Sequence, residues 1–491
     1  MMAARSKGLG VRGKKIVLMC VLLLAAVMPV LNVCAGDMAL GNPRQMKFKP
    51  VEFTPPDADR VVFENGMVVY LLEDHELPLI SLSATVRTGG WLDPTDKVGL
   101  AALTGSVMRT GGGGGLSSEQ VDEELEQVAA SLNIAIGRQS GTASLDVLAK
   151  DFKKGLAILA GLVRRPAFEP ARLELAKLQA VEGIRRRQDS PGSVVSREFV
   201  KVLYGPDHPT ARESTIESIT RITRDDVAAF HQRTIHPNGI ILGVTGDFNK
   251  QAMLASLRDA FGDWKKGEVP ELMIADAPEP IGGRRTIRFI NKETSQTHLR
   301  VGHLSIKEND PDYVALAIAN DILGGSSFRS RLFNDVRTRR GLAYSVGSRL
   351  NAGVHDQGVW LMRAETKLPS TQEVIERFVA NMERMRTEPV TDGELEEAKE
   401  AYVNSFVFSF ASPSAIVNRL VELEYDGLPK DFLQQLRERV VKLTKEEILA
   451  AAKKHWHPDR LTIVAVGMGE ALPKVLSSFG DAMEIKLSPE S

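Results

Sequence analysis

The chain has 491 residues, 43% hydrophobic and 25% charged, the balance of a globular protein too long for one ordinary core. Lysines and arginines number 62 against 63 aspartates and glutamates, so there is no basic excess to attract phosphates and no nucleic-acid partner is expected. Both cysteines, Cys20 and Cys34, fall within the first 35 residues, which leaves the rest without disulfides, thiolate metal ligands or a cysteine nucleophile.

The chain opens on Arg5, Lys7, Arg12, Lys14 and Lys15, then an apolar stretch from Ile16 to Leu31, then Val33-Cys34-Ala35 before Gly36-Asp37. A basic start, a short apolar run and small residues at a cleavage point are the layout of a secretory signal at residues 1–35, cut after Ala35. The apolar run falls short of the ~20 residues that cross a bilayer. Two other fates stay open: an uncleaved anchor, which would be the one membrane contact, or lipid attachment at Cys34. The expected location is export to the periplasm, and removal of the five cations leaves a net charge of −6.

Ile80, Leu82, Ala84 and Val86 alternate with Ser81, Ser83, Thr85 and Arg87, which predicts a half-buried strand. Ser117-x-x-Gln120 predicts a helix cap, with Val121, Leu125, Val128 and Leu132 on one helical face. Between them lie five glycines, Gly111–Gly115, read as a flexible loop because glycine runs are costly to order, with a substrate-touching loop as the alternative. No Lys-Ser/Thr ending follows, so this is not a phosphate-binding loop.

A repeat dominates the remainder. The segment from Ile222 (ITRDDVAAFHQRTIHPNGIILGVTGDF) recurs from Leu443 (LTKEEILAAAKKHWHPDRLTIVAVGM). Thr223 matches Thr444, Asp226 matches Glu447, His236 matches His457, Pro237 matches Pro458 and Gly246 matches Gly467, all at an offset of 221. Leu173–Lys177 matches Leu395–Lys399 at an offset of 222. Each copy predicts a capped helix, a stop near His-Pro, and a strand at Ile240–Thr245 or Leu461–Val466. The chain is thus a duplication, with domains at residues 50–264 and 286–480 and a Pro/Gly-rich hinge linker at 265–285. Strands and long amphipathic helices cluster rather than alternate, which gives an α+β class.

Three stretches then carry a resemblance: Gly89–Gly112 (GGWLDPTDKVGLAALTGSVMRTGG), Glu182–Gly192 (EGIRRRQDSPG) and Leu323–Val346 (LGGSSFRSRLFNDVRTRRGLAYSV). Together with the duplication they resemble the insulinase/pitrilysin family of zinc metallopeptidases, in its two-domain bacterial, mitochondrial-processing-peptidase-like branch. The resemblance implies two homologous domains, each a mostly antiparallel sheet packed with helices, closing as a clamshell on an extended peptide.

In that family an H-x-x-E-H motif places two zinc ligands and a general base on one helical face. Aligned on Gly99-Leu100-Ala101, the first His position is Ala102, the Glu position Gly105 and the second His position Ser106. Aligned on Asp189-Ser190-Pro191, the third ligand position is Gly183, 77 residues after Ser106. Ala102 and Gly183 offer no donor, Gly105 no base, and Ser106 is a poor ligand. Zinc needs three or four convergent donors, so no metal is expected in this chain. The nine histidines offer no replacement: none has H-x₃-H spacing, His298 and His303 face opposite sides of one strand, and His455-x-His457 reads as structural capping.

Arg337 and Tyr344 match an Arg–Tyr pair that the family sets opposite its zinc, where the two would stabilise an oxyanion. Read alone, they are a surface arginine beside Arg339 and Arg340 and a half-buried tyrosine. The resemblance implies a non-catalytic subunit that supplies Arg337 and Tyr344 to a zinc-bearing homologous partner. The alternative is a non-proteolytic peptide-binding or assembly protein related to the core subunits of respiratory complexes.

Overall fold

The computed structural model describes residues 57–271, 274, 277, 284–326 and 328–488. The expected signal segment, residues 1–35, lies outside the described residues, as do 272–273, 275–276 and 278–283 of the linker.

Alternating apolar residues build two six-stranded sheets. The first contains β1 (Asp59–Val62), β2 (Val68–Glu73), β3 (Leu79–Val86), β4 (Ser131–Ile136), β5 (Gly141–Leu148) and β6 (Ile240–Gly246), in the order β1-β2-β6-β3-β5-β4. The second contains β7 (Thr286–Asn291), β8 (Thr297–Leu304), β9 (Ala343–Asn351), β10 (Val359–Thr366), β11 (Thr462–Gly467) and β12 (Ala482–Glu484), in the order β12-β7-β11-β8-β10-β9. Five positions correspond strand for strand, and each five-strand core has one parallel pair, β2/β6 or β7/β11, among antiparallel neighbours. The sixth strand differs: β1 runs antiparallel to β2, whereas β12 runs parallel to β7.

Expected elements form where the local chemistry is strong. β3 buries Ile80, Leu82, Ala84 and Val86 in alternation. Thr223 and Thr444 both close capping boxes, with Asp226 and Glu447 answering from the third helical position. Ser117 and Gln120 also form a capping box, but that helix ends at Gln127. Leu132 therefore belongs to β4, where it is buried, and not to the helical face. Gly111, Gly112 and Gly113 are buried in a hydrogen-bonded turn, whereas Gly114 and Gly115 are exposed. Gly114 and Ala167 donate to the carbonyls of Arg165 and Gly112, and a Cβ at Gly114 (φ +63°) would sit 2.8 Å from Gly161 Cα.

Both sheets belong to one compact unit, and the reason lies in two helices. Pro191–Tyr204, from the first half, lies on β11 and β8 of the second sheet. Pro413–Asp426, from the second half, lies on β6, β2 and β3 of the first. Ser190 and Ser412 cap these helices ahead of a proline at the first turn. Val194, Val195 and Phe199 pack with Val464 and Val466, while Val417, Val421 and Tyr425 pack with Ile241 and Tyr70. β6 and β11 are consequently buried on both faces, and their centres run without a polar residue from Ile240 to Val244 and from Ile463 to Val466.

The exchange is also latched. Tyr204 donates its phenol O–H to the Gln357 carbonyl between β9 and β10, and Tyr425 donates to the Gln139 carbonyl between β4 and β5, each at 2.6 Å. Burial holds both phenols above their ordinary pKa, Tyr425 at about 12. Among the described residues no helix is long and apolar enough to cross a membrane.

Candidate functional site

The helix Leu100–Thr110 carries Ala102, Gly105 and Ser106. Its first turn is capped from outside by Asp93, whose carboxylate accepts the N–H groups of Gly99 and Ala101, each at 2.8 Å. Burial raises the Asp93 pKa to about 6 against these hydrogen bonds and the nearby Arg212 and Arg233. Gly183 lies on Pro170–Arg186, and this second helix packs against the first. The four motif positions are thus carried by two touching helices.

Their environments differ. Ala102 and Gly183 are exposed, Ser106 is half-buried and Gly105 is buried. A Cβ at Gly183 would meet nothing within 4 Å. A Cβ at Gly105 would lie 2.4 Å from the Ile136 backbone nitrogen and 2.9 Å from the Ala135 carbonyl carbon. The helix therefore presses on the edge strand β4 at the position where the family motif has its base. These residues do not fit zinc: Ala102, Gly105 and Gly183 supply no donor, and backbone fills the space around Gly105.

Elsewhere among the described residues, Asp310, Asp312 and His455 bring three donor groups together. Asp312 is already paired with Lys454 at 2.6 Å and His455 at 2.8 Å, so this is an ion-pair cluster in the second half. His303 is buried, and its ring contacts the Leu304 carbonyl at 2.6 Å and the His457 N–H at 3.4 Å. Burial pushes its pKa down to about 4, which keeps it neutral.

Arg337 and Tyr344 are brought together in the second half. Arg337 sits on Phe333–Arg339, a widened π-type helix, and Tyr344 on β9, an edge strand of the second sheet. The register of β9 against β10 slips where Thr366 pairs with Ala343 and Glu365 with Ser345, so Tyr344 is the extra residue of a β-bulge. Bulges re-aim side chains, and Tyr344 is 76% exposed. The Arg337 guanidinium lies 4.7 Å from the ring centroids of both Tyr344 and Phe333. Phe328, also 76% exposed, meets Phe333 edge-on at 5.0 Å. A cation held between two rings beside an exposed phenol can donate hydrogen bonds to an anionic or carbonyl oxygen.

Sequence reasoning alone did not single out Phe333 or Phe328. Phe333 stands four residues before Arg337, the spacing of neighbours on a helix face, which could have pointed to it.

The family model described as Insulinase (Peptidase family M16) matches residues 68–206, and the one described as Peptidase M16 inactive domain matches 221–402. A protein of Helicobacter pylori named a non-peptidase homolog is 25% identical over 399 residues, 80% of this chain and 90% of its own length. An uncharacterized zinc protease of Streptomyces coelicolor is 23% identical over 345 residues, 69% of this chain and 74% of its own. The crystal structure of a peptidase M16 inactive domain from Pseudomonas fluorescens superposes with a TM-score of 0.75 at 27% identity, covering 84% of this chain and 98% of that one. A protease structure from Helicobacter pylori, 18% identical, shares the fold with a TM-score of 0.74 over 84% of this chain and 100% of that one.

Proposed function

Because this chain belongs to the insulinase family of peptidases, M16, we propose that it is the non-catalytic subunit of a zinc endopeptidase, exported to the periplasm. A zinc-bearing homologue supplies the metal and the base. This chain binds part of an extended peptide and contributes Arg337 and Tyr344 to the shared site. It is a peptidase homologue whose own motif positions lack ligands and base. The observation that carries the reading is the asymmetry between its halves: void positions at Ala102, Gly105 and Gly183, against a stacked, solvent-facing Arg337–Tyr344 pair.

β4 and β9 end their sheets, which supports the peptide-binding part, since an edge strand can accept an extended chain as a further strand. Export rests on the basic and apolar layout of residues 1–35.

The test is reconstitution with a homologue bearing an intact H-x-x-E-H. Arg337→Ala and Tyr344→Phe are each expected to lower the turnover of the complex, roughly a hundredfold if they act on the oxyanion. A full rate in both variants would refute the shared site. The name of the Helicobacter relative, a non-peptidase homolog, favours a second reading, a peptide-binding or assembly protein without proteolysis. That reading expects peptide to bind the complex and leave it uncut.

A further inference from the structure

We propose that the second half also carries a binding site for phosphoryl anions, distinct from the Arg337–Tyr344 pair. A cavity of about 440 Å³ is lined by Arg329, Arg331, Arg339, Arg340, Arg377 and Arg384. Two carboxylates line it as well, Asp335 and Glu394, and both are already engaged. Glu394 accepts Nε and Nη2 of Arg331 at 2.7 and 2.8 Å, and Asp335 accepts from Arg340 at 3.0 Å and Asn381 at 2.8 Å. At the rim, Glu373 lies 3.4 Å from Arg340 and Glu388 lies 3.3 Å from Arg384. Among the described residues Arg329, Arg339 and Arg377 form no ion pair.

The arginines also hold unspent donors. The Arg331 side chain is only 9% exposed. With Nε and Nη2 committed to Glu394, its Nη1 is buried without an acceptor, as is Nε of Arg377. The guanidinium groups an incoming anion can reach are those of the exposed Arg329, Arg339 and Arg340, with the half-buried Arg377 beside them. A phosphoryl group has three oxygens to spread over several guanidinium forks, where a carboxylate has two. The chain has no overall basic excess, so the charge is concentrated in one cavity, which suits a small anionic group and not a polymer.

Two sources share this chemistry, a soluble phosphoryl compound and a lipid headgroup. The experiment titrates the full chain with inorganic pyrophosphate, and separately with phosphatidylcholine vesicles with and without phosphatidate, at constant ionic strength. Saturable pyrophosphate binding that weakens roughly tenfold or more in Arg377→Gln and in Arg339→Gln, and is unchanged in Arg186→Gln on a first-half helix, supports the site. Arg339 is exposed, so its variant keeps the test open if Arg377→Gln misfolds. Pyrophosphate binding alone assigns a soluble ligand, and phosphatidate-dependent vesicle binding that needs Arg377 assigns a headgroup. No saturable binding of either probe, or affinity unaltered in both cavity variants, overturns the proposal.

Discussion

The two halves share a strand order and differ in the segments that connect corresponding strands. Between β3 and β4 run two regular α-helices, Leu100–Thr110 and Ser118–Gln127. Between β8 and β9 the helix Tyr313–Asn320 widens into a π-type turn at Asp321–Gly325, a second π-type stretch covers Phe333–Arg339, and β9 then bulges at Tyr344. Such irregularities weaken local hydrogen bonding and gather where side chains must be aimed. The half whose motif positions are bare is the regular one, with helix and edge strand in contact at Gly105. The half that keeps a chemically able pair is the distorted one. One framework therefore tolerates both a relaxed and an aimed version of the same segment, because the exchanged helices hold the sheets in place either way.

The two halves are expected to differ most in their response to pH. In the second half, burial lowers the His303 pKa from 6.5 to about 4. The neutral ring accepts the His457 N–H, and protonation would set a donor against it. Its contribution is complete above pH 6.5 and is lost as pH falls towards 4, about 3 kcal/mol in all. In the first half, burial raises the Asp93 pKa from 3.8 to about 6, which has the opposite sign. The cost of its charge is complete above pH 6 and is relieved as pH falls towards 3.8. Urea denaturation across this window is expected to show a flattened acid loss in His303→Gln and a flattened acid gain in Asp93→Asn. Wild-type slopes in both variants would dissociate these residues from the pH response.

Next in size is the motif itself. Gly105→Glu is expected to destabilise by about 1–3 kcal/mol, because its Cβ must displace the β4 backbone. Gly183→Glu is expected to stabilise by about 0.5–1 kcal/mol, since the site is open and glycine is a poor helix former. Equal melting temperatures for the two would contradict the close approach at Gly105. Smaller again are Tyr204→Phe and Tyr425→Phe, each expected to cost about 1 kcal/mol for one buried hydrogen bond. A loss in only one of them would break the symmetry of the latch. Smallest is Tyr344→Phe, which should leave stability within about 0.5 kcal/mol of wild type. A large loss there would recast the tyrosine as structural.

Much of this architecture is legible in the residues. Thr223 and Thr444 announce the duplication through local caps, and β3 announces itself by alternation, because both signals depend on near neighbours in the chain. Leu132 misleads, since the i, i+3, i+4 series runs past the helix end at Gln127 and falls by coincidence on the first buried position of the strand that begins at Ser131. The glycine run is legible only in part, because the close approach at Gly114 comes from Gly161, a distant residue. The exchange of helices has no local signature, although Ser190-Pro191 and Ser412-Pro413 recur at an offset of 222 and mark the equivalent pair. The bulge at Tyr344 and the wide helical turns arise from tertiary packing and leave no periodic trace.

The most direct measurement purifies the chain alone and together with a homologue that has an intact H-x-x-E-H, then determines bound zinc and peptide cleavage in each. The chain alone is expected to show no zinc-dependent cleavage, and the pair to cleave peptide at a rate that falls when Arg337 or Tyr344 is replaced. Zinc bound stoichiometrically by the isolated chain, with peptide cleavage that a chelator abolishes, would contradict this expectation.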